Sequence, residues 1–434
     1  MPFPSEKRIE EIDRIIKSQT PIGTRTITYK DEVQKIDVYK IPMEYLIFNR
    51  YNGRINIDMD SDQALTPDIE EEYSTDLENK IISYLWESAI GPNRISLKDI
   101  EAKGQLEAGI ITKDGVIVDG NRRAMLLKKS ETKGDFFNAG ILTDEYSEDS
   151  AKAVRKLETT LQFDQDQIVD FGPLAKYLTT QKLKDNDGYS FKEIEGLFGQ
   201  GANKGDPESW YKIFKVMTDY LDFIGSPGIY SLLRISDKKS SKEQGFIDAE
   251  KILRLMNSKG GLKTDSPMND QKRSFRNMMF QHIRAESIES PQAYKLLCLG
   301  REKSGLLHHK NIYDETYEEL KDITRPIEDV PPLRDYIKEN PQMDIKDAAL
   351  KRENEVKEIV HEPLKELFLK STNRARDAAS KDKPEIRILK VLDEVKKIEE
   401  EKEKLSESEN ISAIQNNIRL ISKLVEKIKR ELGL

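Results

Sequence analysis

The sequence predicts an α+β fold: a small mixed α/β N-terminal domain, then a mostly α-helical remainder ending in a C-terminal helical hairpin. Three observations predict it. Two β-branched runs, Gly109-Ile110-Ile111 and Val116-Ile117-Val118, flank a turn at Lys113-Asp114-Gly115, a strong hairpin signal. From Ser150 onward the apolar residues recur mainly at helical spacing. Near the C-terminus Ile411, Ile414, Ile418, Ile421, Val425, Ile428 and Leu432 keep an uninterrupted three-four heptad beat.

A chain of 434 residues suffices for about two to four domains. Charged residues make up 35% and apolar ones 37%, which suits a soluble, helix-rich protein with small cores. The net charge of −8 gives no global attraction to nucleic acid or anionic membrane, so any DNA contact must come from a local basic patch. The single cysteine, Cys298, sits among Leu296, Leu297 and Leu299 and reads as a packed core thiol. No disulfide framework is available within one chain, which points to a reducing compartment. No signal peptide or long apolar span is legible, and the expected location is cytoplasmic, with no membrane partner.

The elements follow in order. Ile9, Ile12, Ile15 and Ile16 give residues 1 to 20 an amphipathic helical face. Residues 24 to 37 read as two strands across a turn near Lys30-Asp31. Asp58, Asp60 and Asp62 alternate like the start of a calcium loop, but Gln63 replaces the required glycine and Ile69 the required glutamate. Calcium binding is therefore rejected, and the acidic run through Glu72 reads as a solvated insertion. Leu77, Ile81, Ile82, Leu85 and Trp86 mark a helix over 74–90. Residues 130–149 read as a polar connector with Ile141-Leu142 as an edge strand. Pro326, Pro331 and Pro332 mark a boundary. The expected domains are 1–149, 150–325 and 333–434.

The chemistry concentrates at Asp119-Gly120-Asn121-Arg122-Arg123, between the second strand and an apolar helical face at Ala124 to Leu127. A glycine there lets the backbone bend tightly and a ligand approach closely. The first amides of a helix have no intrahelical partners and lie at the positive end of its dipole. Two arginines in that turn add forks that match phosphate geometry. The turn reads as a phosphate cradle; the competing reading is a helix start with solvated arginines.

This stretch resembles the nucleotide-binding half of the ParB/sulfiredoxin superfamily. Gly104-Gln105-Leu106-Glu107-Ala108 stands at that family's "GxxxP" segment, with Ala108 in place of proline. Gly120 to Arg123 stands at its "GERR"-type turn, with Met125 where a further arginine is usual. Asn49 to Arg54 has the spacing of the "NPxxPR" segment without the prolines, which makes Arg54 a candidate pocket arginine. The "ENxQR" segment aligns with Thr159 to Phe163: Gln162 matches, the glutamate is displaced to Glu158, and Phe163 replaces the arginine. One residue along a helix is a rotation of about 100°, which turns Glu158 away from the expected direction. Asn121 and Arg122 occupy the place of the sulfiredoxin cysteine, which argues against sulfinic-acid repair.

The resemblance implies a nucleoside triphosphate, CTP or ATP, with Mg2+ as a companion. The expected phosphate-binding set is Gly104, Gly120, Asn121, Arg122, Arg123, Gln162 and Arg54. Downstream, Ser190 and Glu193 form a capping box before a short helix ending at Gly199, and a longer helix follows with Trp210, Ile213, Phe214, Met217 and Leu221 inward. This is helix-turn-helix-like spacing over 188–222, with Lys212 and Lys215 as candidate DNA contacts and a plain helical core as the rival reading. The glycine-rich loop Gly199 to Gly205 lacks the Gly-Lys-Ser/Thr ending of a P-loop. Phe275, Met279, His282 and Ile283 read as the buried face of an ordinary helix, preferred over a basic nucleic-acid surface. His308-His309 have no partner spacing that suggests a metal, and no metal ligand set is assigned.

The functional expectation is a ParB-like, DNA-associated protein whose dimerisation or DNA contact is switched by a nucleoside triphosphate. The C-terminal helices would pack on themselves, on the body, or on a partner or second copy. Two rivals stand beside it. One is a nuclease or nucleotide-dependent phosphotransferase using Asp119, Glu158 or Glu107 as metal ligand or base. The other is a catalytically silent interaction module of a mobile-element or defence system.

Overall fold

A computed structural model describes residues 3–65, 73–163, 172–233, 241–257, 268–288, 297, 304–380, 384–400 and 411–433. It divides into two compact units, residues 1–293 with 317–366 and residues 294–316 with 367–434. The proline cluster at 326–332 lies inside the first unit. Cys298 and the acidic residues 66–72 lie outside the described residues.

The first unit is built on a six-stranded mixed sheet of order β1-β2-β6-β4-β5-β3. The strands are β1 (Gly23–Tyr29), β2 (Glu32–Pro42), β3 (Ile47–Phe48), β4 (Gly109–Ile111), β5 (Val116–Asp119) and β6 (Phe136–Ile141). Lys30 and Asp31 form the two-residue turn between β1 and β2, both with positive φ (52° and 65°), which is what a tight, twist-matched hairpin demands. Aspartate is enriched among the non-glycine residues that adopt this region, whereas lysine is not. Lys30 pairs with Asp144 at 2.9 Å and Asp31 pairs with Lys156, so ion pairs hold the turn. The β4–β5 hairpin forms as expected, its turn held by Gly115 at φ 82° and by Thr112, whose hydroxyl accepts from the Val116 amide at 3.0 Å.

The connector 130–149 departs from expectation. Its strand is β6, and it lies inside the sheet, antiparallel to β2 and parallel to β4. The residues Phe-Phe-Asn-Ala-Gly-Ile lack β-branched alternation. Gly140 is there because a Cβ would meet Ile36 at 2.4 Å.

Helices cover both faces. On one, α1 (Ser5–Ser18), α3 (Thr75–Glu87), α4 (Ile90–Lys103) and α5 (Asn121–Lys129) flank a core that includes Ile12, Ile41, Ile81, Leu85, Ile117, Met125 and Phe137. On the other, α6 (Glu148–Phe163) buries Val154 and Leu157 against Ile27, Tyr29, Ile110 and Val118. Arg8 of α1 is buried and donates to the Asp114 carbonyl at 2.7 Å, fixing that helix to the β4–β5 turn.

The acidic residues 58–62 are a correction rather than a solvated insertion. They belong to α2 (Asn56–Leu65), where Asp58 is buried. Asp58, Asp60 and Asp62 receive Lys346 (3.0 Å), Lys182 (2.6 Å) and Lys80 (2.8 Å) respectively. These lysines come from the helix Ile345–Ser380, from α7 (Pro173–Asp185) and from α3. The alternating carboxylates therefore join helices distant in sequence, which no local pattern could reveal.

Beyond α7, the short helix α8 (Phe191–Phe198) begins in the capping box of Ser190 and Glu193 and is followed by α9 (Asp206–Phe223). Phe275, Met279, His282 and Ile283 are buried on the helix Met268–Ala285, as an amphipathic helix requires. In the second unit the C-terminal stripes are helical but exposed: Val391 and Ile398 on Pro384–Glu400, and Ile418, Ile421, Val425 and Ile428 on Ile411–Leu432.

Two glycines, Gly109 at the start of β4 and Gly91 in the first turn of α4, set a steric test. A Cβ on Gly109 would lie 2.3 Å from the Phe137 ring and 2.6 Å from the Asp119 carbonyl, whereas one on Gly91 meets nothing within 4 Å. Gly109→Ala should lower unfolding stability by about 1–3 kcal/mol, as overpacking does. Gly91→Ala should be neutral or stabilise by up to about 1 kcal/mol. Denaturant titration of the two variants checks the contrast.

Candidate functional site

The site grows from the turn where β5 becomes α5. Gly120 is the N-cap residue, with φ 96° and ψ 16°, a left-handed conformation that costs a side chain dearly. A Cβ there would also lie 2.9 Å from the Phe137 ring. The first helical bond closes from the Ala124 amide onto the Gly120 carbonyl at 2.8 Å. The amides of residues 121–123 thus have no intrahelical acceptor and lie at the positive helix end.

Around this turn lies a cavity of about 310 Å³. Its lining includes Gly104, Gly120, Asn121, Arg122, Arg123, Gln162 and Arg54, so every residue of the expected phosphate set meets in one place. Ile100, Leu106, Val118, Leu126 and Leu161 supply apolar wall, and Asn52, Ser96, Asp99, Gln105, Glu107 and Asp119 supply polar wall. The volume falls in the range of small-molecule sites, roughly 300–1,000 Å³.

Each member is held by identifiable contacts. Gly104 ends α4 at φ 76°, and its missing Cβ would point into open space. Gln105 pairs with β6 like an added strand, its side chain accepting from the Asn138 amide at 2.7 Å and donating to the Asn138 carbonyl at 2.8 Å. Asn121 is buried: it accepts from the Asn49 amide at 2.9 Å and donates to the Ile117 carbonyl at 2.8 Å. It therefore ties the 49–54 loop to β5. Arg122 donates through Nε to Asn93 Oδ1 at 2.6 Å. Arg123 pairs through Nη2 with Glu107 at 2.8 Å, while its Nη1 is buried without a hydrogen-bond partner.

The two expected catalytic carboxylates are engaged differently. Asp119 lines the cavity but is paired with Arg25 at 2.7 Å. Arg25 also donates to the Ala108 carbonyl at 2.7 Å, so a strand-borne arginine that sequence reasoning missed braces both sides of the turn. Its only sequence signal was a charge inside a short strand. Glu158 is buried and does not line the cavity. Its carboxylate accepts from Asn49 Nδ2 (3.0 Å), Asn52 Nδ2 (2.8 Å), Gln162 Nε2 (2.8 Å) and the Gly53 amide (3.4 Å). Glu158 thus positions Asn52 and Gln162, which do face the cavity. The Asn49 and Asn52 side chains also accept from the amides of Tyr51 and Arg54, stiffening a loop that has no proline.

The expected DNA residues lie elsewhere, exposed on α9. Lys212 pairs with Glu208 at 2.6 Å and Lys215 with Asp185 at 3.2 Å. Among the described residues, no group of three or more His, Cys, Asp or Glu side chains could hold a metal ion. No family model, no curated protein and no solved structure matches the chain.

Burial pushes the Glu158 carboxyl up to about 8, against the hydrogen bonds from Gly53, Gln162 and Asn49 and with a further upward push from Asp119. A raised acid favours the folded state while protonated. Stability from this group is full below the ordinary glutamate value and is lost as pH rises toward about 8. The loss is at most about 1.4 kcal/mol per pH unit. Thermal melts from pH 5 to pH 8 should show wild type falling relative to Glu158→Gln; parallel curves would contradict the assignment.

Proposed function

We propose that the cavity binds a nucleoside triphosphate, CTP or ATP, and that binding changes how the helical segments pack, switching self-association or DNA contact. One observation carries the reading. Gly104, the Gly120–Arg123 turn, Arg54 and Gln162 come from separate parts of the sequence and line one cavity. Helix N-terminal amides that have no intrahelical acceptor and three guanidinium groups suit phosphate oxygens, and the apolar wall suits a base or sugar. Mg2+ would have to take most of its ligands from the phosphates and water, since Asp119 and Glu107 already hold arginines.

The switch needs a shared element, and α6 is one. Leu161 and Gln162 at its end line the cavity, while Arg155 on the same helix donates to Asp187 at 3.0 Å, in the turn before α8. A ligand that shifts the end of α6 would therefore bias the α7–α9 segment, provided it binds the two arrangements with different affinity. DNA contact through Lys212 and Lys215 would require surrendering their carboxylate partners, so self-association is the favoured output.

Titration calorimetry with a nucleotide panel, with and without duplex DNA, tests the reading. Arg122→Ala should lose triphosphate affinity at least about tenfold, since charge-assisted bonds to phosphate are strong. Asn93→Ala would remove the acceptor of Arg122 Nε together with the bonds from Asn93 Nδ2 to the Leu85 and Trp86 carbonyls, so it should cost stability as well and does not isolate the Arg122 contact. Absence of binding to any nucleoside triphosphate by the wild-type chain would reject the proposal.

A further inference from the structure

Three carboxylates line the cavity beside its three arginines: Asp99, Glu107 and Asp119 against Arg54, Arg122 and Arg123. They are not equivalent. Asp119 is neutralised by Arg25, which does not line the cavity. Asp99 faces Lys103 at 3.5 Å on the exposed side of α4. Glu107 alone of the three forms an ion pair with a cradle arginine, Arg123, at 2.8 Å among the described residues.

The pair is asymmetric. The Glu107 side chain is 68% exposed and that of Arg123 only 21%. Nη1 of Arg123, beside Gly120, is sealed from solvent and has no hydrogen-bond partner. A sealed nitrogen is closed to a ligand as well as to water, so a ligand meets this arginine through Nη2, the atom that Glu107 holds. The Glu107 backbone is anchored, its carbonyl accepting from Gln105 Nε2 at 2.9 Å, whose own side chain is held on β6. The carboxylate can therefore leave by side-chain rotation alone, with no movement of the loop.

Building on the nucleotide-binding reading above, we infer that Glu107 is an anionic placeholder: its carboxylate occupies Arg123 in the empty site and is displaced by a phosphate group of the ligand. The placeholder lowers affinity for every phosphate ligand that uses Arg123, because each must break an existing ion pair. It also keeps the cradle arginine in its working rotamer while the site is empty.

Calorimetry with ATP, CTP and inorganic pyrophosphate on wild type, Glu107→Gln, Arg123→Ala and the double variant tests this. Glu107→Gln should bind the preferred probe roughly two- to fivefold more tightly, the range expected for a partly exposed ion pair. Its melting temperature should stay near that of wild type. In the Arg123→Ala background the same substitution should change affinity little. Unchanged or weaker binding in Glu107→Gln, or a gain that persists without Arg123, overturns the placeholder while leaving nucleotide binding intact. Failure of wild type and Glu107→Gln alike to bind all three probes overturns both readings.

Discussion

The site depends on one backbone constraint: the chain must leave β5 and enter α5 through Gly120 in a left-handed conformation, directly above Phe137. Phe137 is fully buried and fills the space where two glycines would otherwise carry side chains. That packing lets the start of β4, the end of β5 and the start of α5 converge. With any Cβ at Gly109 or Gly120 the three would separate, and the amides and guanidinium groups would no longer share a cavity. The geometry of charge collection is thus a consequence of close packing beneath it.

A second layer of order comes from polar contacts made behind the cavity wall. Glu158 gathers four N–H donors, and through Asn49, Asn52, Gly53 and Gln162 it joins α6 to the 49–54 loop. Asn121 joins the same loop to β5. Buried polar networks of this kind specify position when every member is satisfied, because each unsatisfied group would be expensive. Arg25 plays the corresponding part on the other side, holding Asp119 and the Ala108 carbonyl together. The polar wall is therefore held by buried bonds at Asn121, Asn52 and Gln162, whereas Asp99 and Glu107 are exposed.

The sheet and the helices after it share their packing within the first unit. Carboxylates of α2 take lysines from α3, α7 and the helix Ile345–Ser380, and α6 serves both the cavity and the turn before α8. Domain boundaries read from composition alone miss such sharing, since an ion pair across hundreds of residues leaves no local trace. Asp58 and Lys346 illustrate the limit: each is an ordinary charged residue in sequence, yet in the fold the two form a partly desolvated pair.

What the sequence by itself determined is local. Turn chemistry predicted the β1–β2 and β4–β5 hairpins, periodicity predicted helices in 1–20, 74–90 and 411–432, where the structure has Ser5–Ser18, Thr75–Glu87 and Ile411–Leu432, and Ser190 with Glu193 predicted a cap that the structure contains. Gly120 and the residues after it were legible because a tight strand-to-helix turn has few residue solutions. Only the tertiary structure decided that β6 is a central strand, that Glu158 positions its neighbours from behind the wall, and that Arg25 and Glu107 hold the charges of the turn. Those outcomes rest on contacts between segments far apart in the chain, where burial and charge pairing act without regard to sequence neighbours.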